Sequence, residues 1–138
     1  MDRPRVIDTN VLIRLWRGLA PSRGRVVSKE SAEDAARAWL SYYKLDVIVT
    51  PVRLEFLGGT RDRDELKLAD HFLSLFPLLD GGRVLPEDWA VAERYARHAP
   101  HDGRPRGAID CLITAIADRL HADIRSDDEG LPRRKKKS

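Results

Sequence analysis

Short apolar runs that stop at a polar residue and hand over at once to helical spacing constrain this chain more than any other feature. Arg5-Val6-Ile7 ends at Asp8, and Val11, Leu12, Leu15 and Trp16 then recur at helical intervals between Asn10 and Arg17. From Ser28 to about Tyr43 a second helix places Ala32, Ala35, Ala36, Trp39, Leu40 and Tyr43 on one face, and Val47-Ile48-Val49 reads as a buried strand. Thr50 offers a cap and Pro51 a fixed φ at the first helical position, so another helix starts there, carries Glu55 in its second turn and stops at Gly58-Gly59. A helix over Asp64 to Leu75, a short strand at Arg83-Val84-Leu85 and a helix from Pro86 to about His98 follow. Proline and glycine exclude regular structure from Pro100 to Gly107. Beyond that loop Ile109, Leu112, Ile113, Ile116, Ala117 and Leu120 form a complete amphipathic stripe, and Ala122-Asp123-Ile124-Arg125 reads as the last strand. Strands separated by helices pair through crossovers, which predicts an α/β sandwich with a mainly parallel sheet.

At 138 residues the chain has room for one core. We expect a single domain over residues 1–131 and a basic tail over 132–138. The formal net charge of +3 is more than supplied by Arg133, Arg134, Lys135, Lys136 and Lys137, so charge alone does not argue for nucleic acid, and the tail reads as a solvated terminus. Cys111 has no second cysteine to pair with, which excludes an internal disulfide and a thiolate zinc site and points to a cytoplasmic setting. No apolar run approaches the length of a membrane span or of a signal-peptide core, so no membrane role is expected.

In an open parallel sheet ligands collect beyond the carboxyl ends of the strands. Four acids fall where such a sheet gathers them: Asp8 ends the first strand, Glu55 lies early in the helix after the second, Asp110 opens the stripe helix and Asp127 follows the last strand. Asp110 precedes Ile113 by three residues and Ala117 by seven, which places it at the edge of the buried stripe. Each acid has a plainer reading. Asp8 suits a turn or helix cap, Asp110 a helix dipole, and Glu55 a solvated surface. Together, however, carboxylates at one edge repel unless a cation or protons neutralise them, and hard oxygen ligands suit Mg²⁺ or Mn²⁺. Such a cation activates water against a phosphodiester, which is nuclease chemistry.

The run Val6-Ile7-Asp8-Thr9-Asn10-Val11-Leu12-Ile13 resembles the N-terminal motif of PIN domains. Val52-Arg53-Leu54-Glu55-Phe56-Leu57 resembles their central Glu motif, and Gly107 to Ala117, with Asp110, is similar to their third acidic motif. The subgroup that these motifs resemble most is the VapC-type toxins. The resemblance implies a PIN-like three-layer sandwich and a metal-dependent endoribonuclease, the toxin of a type II toxin–antitoxin pair. It further implies a homodimer blocked by a VapB-type antitoxin, with Asp8, Asp110 and Asp127 as metal ligands and Glu55 as a further catalytic acid. The fourth motif departs from the pattern: Arg125-Ser126-Asp127-Asp128-Glu129-Gly130 has Arg where the family usually has Thr and Gly where it usually has Phe, so Asp128 and Glu129 stand as alternates to Asp127.

Thr9 and Asn10 are candidates to hold a metal-bound water or orient Asp8, a role compatible with capping the following helix. Arg104 and Arg106 precede Asp110 and are candidates to hold RNA phosphate, against the plainer reading of loop cations in solvent. Trp16, Trp39 and Trp89 fall in apolar helical patterns and read as core or dimer contacts. Two other functions compete: a different Mg²⁺-dependent phosphoryl-transfer enzyme, and a PIN-like binding module whose altered fourth motif has impaired catalysis. Against the first, the position two after Asp8 is Asn10, where a phosphatase of that kind needs a second Asp.

Overall fold

The computed structural model describes residues 2–19, 28–98 and 107–126. Strands β1 (Arg5–Ile7), β2 (Asp46–Val47) and β3 (Asp123–Arg125) form one sheet in the order β2-β1-β3, with both pairings parallel. Arg5 lies opposite both Asp46 and Asp123, and Ile7 opposite Arg125. Parallel strands cannot be joined by tight turns, so helices carry the crossovers. Helices α1 (Thr9–Arg17) and α2 (Lys29–Tyr42) lie between β1 and β2. Helices α3 (Thr50–Gly58), α4 (Arg63–Ser74), α5 (Pro86–His98) and α6 (Ala108–Arg119) lie between β2 and β3. This is the expected α/β sandwich, a parallel sheet flanked by helices. Because β1 has a neighbour on each side, Val6 and Ile7 are both fully buried.

One expected strand is corrected. Arg83-Val84-Leu85 has no regular structure; the sheet is instead extended by a parallel bridge between Ile48 and Leu78. There the Ile48 N–H donates to the Pro77 carbonyl at 2.9 Å and the Leu79 N–H donates to the Ile48 carbonyl at 2.8 Å. The chain then turns away through Gly81 and Gly82, both at positive φ (63° and 83°), a conformation glycine adopts without steric cost. Arg83 to Leu85 are left as the approach to α5.

The helices cover the sheet with the faces their spacing predicts. Val11, Leu12 and Trp16 of α1 are buried, as are Cys111, Leu112, Ile113, Ala115, Ile116 and Ala117 of α6. Trp16, Phe56 and Phe76 surround Phe72, with ring centroids 5.1, 5.8 and 5.2 Å from it, and burial of each such ring contributes about 1.5–3 kcal/mol. The Ser28 side chain accepts from the Ser31 N–H, and the Ser31 hydroxyl accepts from the Ser28 N–H, a reciprocal cap that fixes where α2 starts. Trp16 is thus core and Trp39 half-buried, whereas Trp89 on α5 is 59% exposed and is not part of the core formed by the described residues.

Helices α5 and α6 are joined by a buried ion pair. Asp88 is 1% exposed, accepts from the Leu85 N–H at 2.8 Å and receives two hydrogen bonds from Arg119, at 2.7 and 2.9 Å. The Arg119 hydrogen bonds hold the Asp88 carboxyl below its ordinary range, against burial, which acts in the opposite direction. A carboxyl depressed in the folded state adds stability above the unfolded value of about 3.9, and that stability is lost as pH falls through the folded value. Asp88→Asn should therefore lower unfolding free energy by about 3 kcal/mol at pH 7, because it strands a largely buried guanidinium. Urea titrations of both proteins from pH 7 downward check this: the difference between them should shrink below about pH 4.

Candidate functional site

The strands are parallel, so their carboxyl ends share one edge of the sheet, and helix starts gather there with them. Helix α1 begins directly after β1 and α3 shortly after β2. Helix α6 feeds β3 from the opposite edge, and its 12 residues, about 18 Å at 1.5 Å per residue, return its N-terminus to the carboxyl edge. The N-terminal N–H groups of α1 and α6 therefore favour anions at this edge.

Asp8 is fixed by its backbone from both sides. Its N–H donates to the Arg125 carbonyl at 2.9 Å, and its own carbonyl accepts from Val11 and Leu12 at 3.1 and 3.3 Å. It occupies the N-cap position of α1, yet its side chain makes no cap hydrogen bond, so the capping role considered for this carboxylate is not the one it plays. Thr9, the first helical residue, is 2% exposed, and its Oγ1 has no hydrogen-bond partner among the described residues. Asn10 is exposed one residue further on.

Asp110 lies in the first turn of α6. A Cβ at Gly107 would stand 3.6 Å from Asp110 Oδ2, so the carboxylate sits over the helix start. The expectation that Asp110 borders the buried stripe is corrected: it is exposed, while Cys111 beside it is 1% exposed, because the buried stripe takes up the next position and turns Asp110 outward. Glu55 is exposed on α3 beside buried Phe56. Asp127, Asp128, Glu129, Arg104 and Arg106 lie outside the described residues, as does the basic tail.

Among the described residues no three His, Cys, Asp or Glu side chains form a group able to hold a metal ion, so Asp8, Glu55 and Asp110 do not make a closed cage by themselves. The donor types present would suit a hard cation. Carboxylate and hydroxyl donors are all hard oxygens, and Mg²⁺ is held by one or two carboxylates while keeping its waters. The buried, unpartnered Thr9 hydroxyl next to Asp8 fits a water or ion at this position.

The polar groups that support this edge were not singled out in the sequence. Asp80 is buried and accepts from the Thr50 N–H at 2.9 Å, the Thr50 hydroxyl at 2.9 Å and the Gly82 N–H at 3.2 Å. Thr50 is thus the anchored first residue of α3 and not its side-chain cap, and Asp80 sets the start of the helix that carries Glu55. The run Asp80-Gly81-Gly82 is turn chemistry in which an Asp side chain binds backbone two residues on, which was the available signal. Asp46 is 1% exposed and accepts from Trp39 and Arg125. A strand aspartate next to apolar Val47-Ile48-Val49 was the sign of a buried partner there.

A model of the PIN domain family matches residues 5–137 of the chain. No curated protein matches the chain.

The orphaned Thr9 hydroxyl makes a testable separation of stability from function. Thr9→Val keeps the shape and removes a buried oxygen without a partner, so the metal-free protein should gain about 1–3 kcal/mol. Thermal melts in EDTA read this directly. An unchanged or lower melting temperature would mean that the hydroxyl is already satisfied.

Proposed function

The chain belongs to the PIN domain family, and from that membership we propose that it is a Mg²⁺- or Mn²⁺-dependent endoribonuclease, the toxin of a type II toxin–antitoxin pair held in check by a VapB-type antitoxin. PIN domains are in general metal-dependent nucleases; the RNA substrate, the toxin role and the antitoxin are our reading. The observation that carries it is Asp8. It follows directly on the middle strand, its N–H is held by the Arg125 carbonyl of β3, and the next residue in the chain, Thr9, carries a buried hydroxyl without a partner among the described residues.

Asp8 and Asp110, joined by Asp127, would hold the cation, and Glu55 completes the acidic set. When bound, the cation supplies a water of lowered pKa and offsets charge on the phosphodiester. Thr9 and Asn10 orient water at Asp8, and Arg104 and Arg106 hold the RNA backbone ahead of Asp110. The α1 and α6 N-termini add fixed positive potential for phosphate at the same edge. Among the described residues no helix is long and apolar enough to cross a membrane. Pairing of two copies is supported by large apolar side chains left in solvent, Tyr42 at 77%, Leu54 at 67% and Trp89 at 59%.

Incubation of purified protein with RNA, with Mg²⁺ or Mn²⁺ against EDTA, tests the activity. Asp8→Asn and Asp110→Asn should each reduce cleavage by more than the roughly 10–100-fold that loss of an outer-shell partner costs, with circular dichroism unchanged. Cleavage that persists in EDTA, or in either folded variant at saturating metal, refutes the assignment. Metal and RNA binding without cleavage by the wild type would favour an impaired binding module instead. Light scattering at micromolar concentration should give the mass of a homodimer, and a monomer alone would reject the pairing.

A further inference from the structure

Arg125 does something that its place at the end of an edge strand does not require. Its Nε and a terminal nitrogen donate to the two Asp46 carboxylate oxygens at 2.8 and 3.2 Å, a two-pronged pair between β3 and β2 that crosses over β1. Its guanidinium carbon lies 4.0 Å from the Tyr43 ring centroid and 5.9 Å from that of Trp39. Trp39 Nε1–H also donates to Asp46, at 2.8 Å. Asp46 has a side chain 1% exposed and Arg125 one 21% exposed, so the pair is largely shielded from water and has one geometry.

The same residue holds the candidate site through its backbone. The Arg125 carbonyl accepts from the Asp8 N–H at 2.9 Å, the last sheet hydrogen bond before the chain enters α1. The side chain that grips Asp46 thus belongs to the residue that fixes the Asp8 backbone. We propose that Arg125 is a positioning residue for the acidic site: clamped by Asp46, Tyr43 and Trp39, it sets the carboxyl end of β3 and through its carbonyl holds Asp8 where a cation is bound. The proposal rests on the metal-nuclease reading and adds a residue that acts through the Asp8 backbone.

Lysine keeps the charge but has neither the fork nor the flat face, so Arg125→Lys in the full chain is the informative variant. Two readouts separate positioning from general stability: hydrogen exchange of the Asp8 amide against that of Ile48, which is bonded to Pro77 on the far side of the sheet, and Mn²⁺ affinity by calorimetry. The clamp requires Asp8 to exchange roughly tenfold faster relative to Ile48, and Mn²⁺ to bind about threefold or more weakly, in a folded protein. Equal change in both amides, or Mn²⁺ affinity equal to that of the wild type, overturns it. If Arg125→Lys does not fold, Arg125→Met with Asp46→Asn removes both charges, leaves an acceptor for Trp39 and faces the same criteria. A wild type that binds no Mn²⁺ would defeat the nuclease reading instead, and the amide comparison alone would then decide whether Arg125 holds Asp8.

Discussion

The middle position of β1 in a parallel sheet is the constraint on which the other features depend. A strand paired on both sides and covered on both faces needs apolar side chains throughout, and Val6 and Ile7 meet that need with no exposure at all. The next residue, Asp8, is then where burial must stop, and where the backbone passes from sheet to helix with hydrogen bonds on either side. Parallel pairing also determines which other residues come near it. Helices must return between strands, so the starts of α1, α3 and α6 belong to the same edge of the sheet.

Carboxylates in this protein divide by what surrounds them. Asp46, Asp80 and Asp88 are buried, and each accepts from at least two donors on other residues, as an interior charge must. Each secures a junction: β2 to β3, the start of α3, and α5 to α6. Asp8, Glu55 and Asp110 are half-buried or exposed at helix starts or early turns. The first group holds the scaffold in one geometry, and the second is left in contact with solvent. Glu65 shows the intermediate case: burial raises its pKa, but hydrogen bonds from Arg61 and Trp16 outweigh this and leave it lowered, and it ties α1 to α4 away from the candidate site.

Local chemistry was legible in the sequence to the extent that it was periodic or adjacent. The β1-to-α1 transition at Asp8, the Ser28 start of α2 and the α6 stripe all follow from residues within one or two turns of each other. The structure departs from the sequence reading where partners are distant. Arg125 and Asp46 are 79 positions apart, and Thr50 and Asp80 are 30 apart, so neither pair leaves a periodic trace. Leu78 and not Val84 extends the sheet because Gly81 and Gly82 turn the chain before Arg83, a choice between two short apolar runs that composition does not decide. Asp110 was placed correctly along the chain but on the wrong side of the stripe boundary, since an edge position of a helix turns inward or outward according to what packs beside it.

The central claim is that the carboxyl edge of this sheet gathers Asp8 and Asp110 around one cation. Mn²⁺ tests this without RNA or catalysis, because its unpaired electrons broaden the NMR signals of nearby amides. Titration of substoichiometric Mn²⁺ into the ¹⁵N-labelled chain should broaden Asp8, Thr9 and Asn10 together with the amides at the start of α6, while those of α5 around Asp88 stay sharp. Broadening at only one of the two helix starts, or centred on another acidic surface, would contradict the shared site.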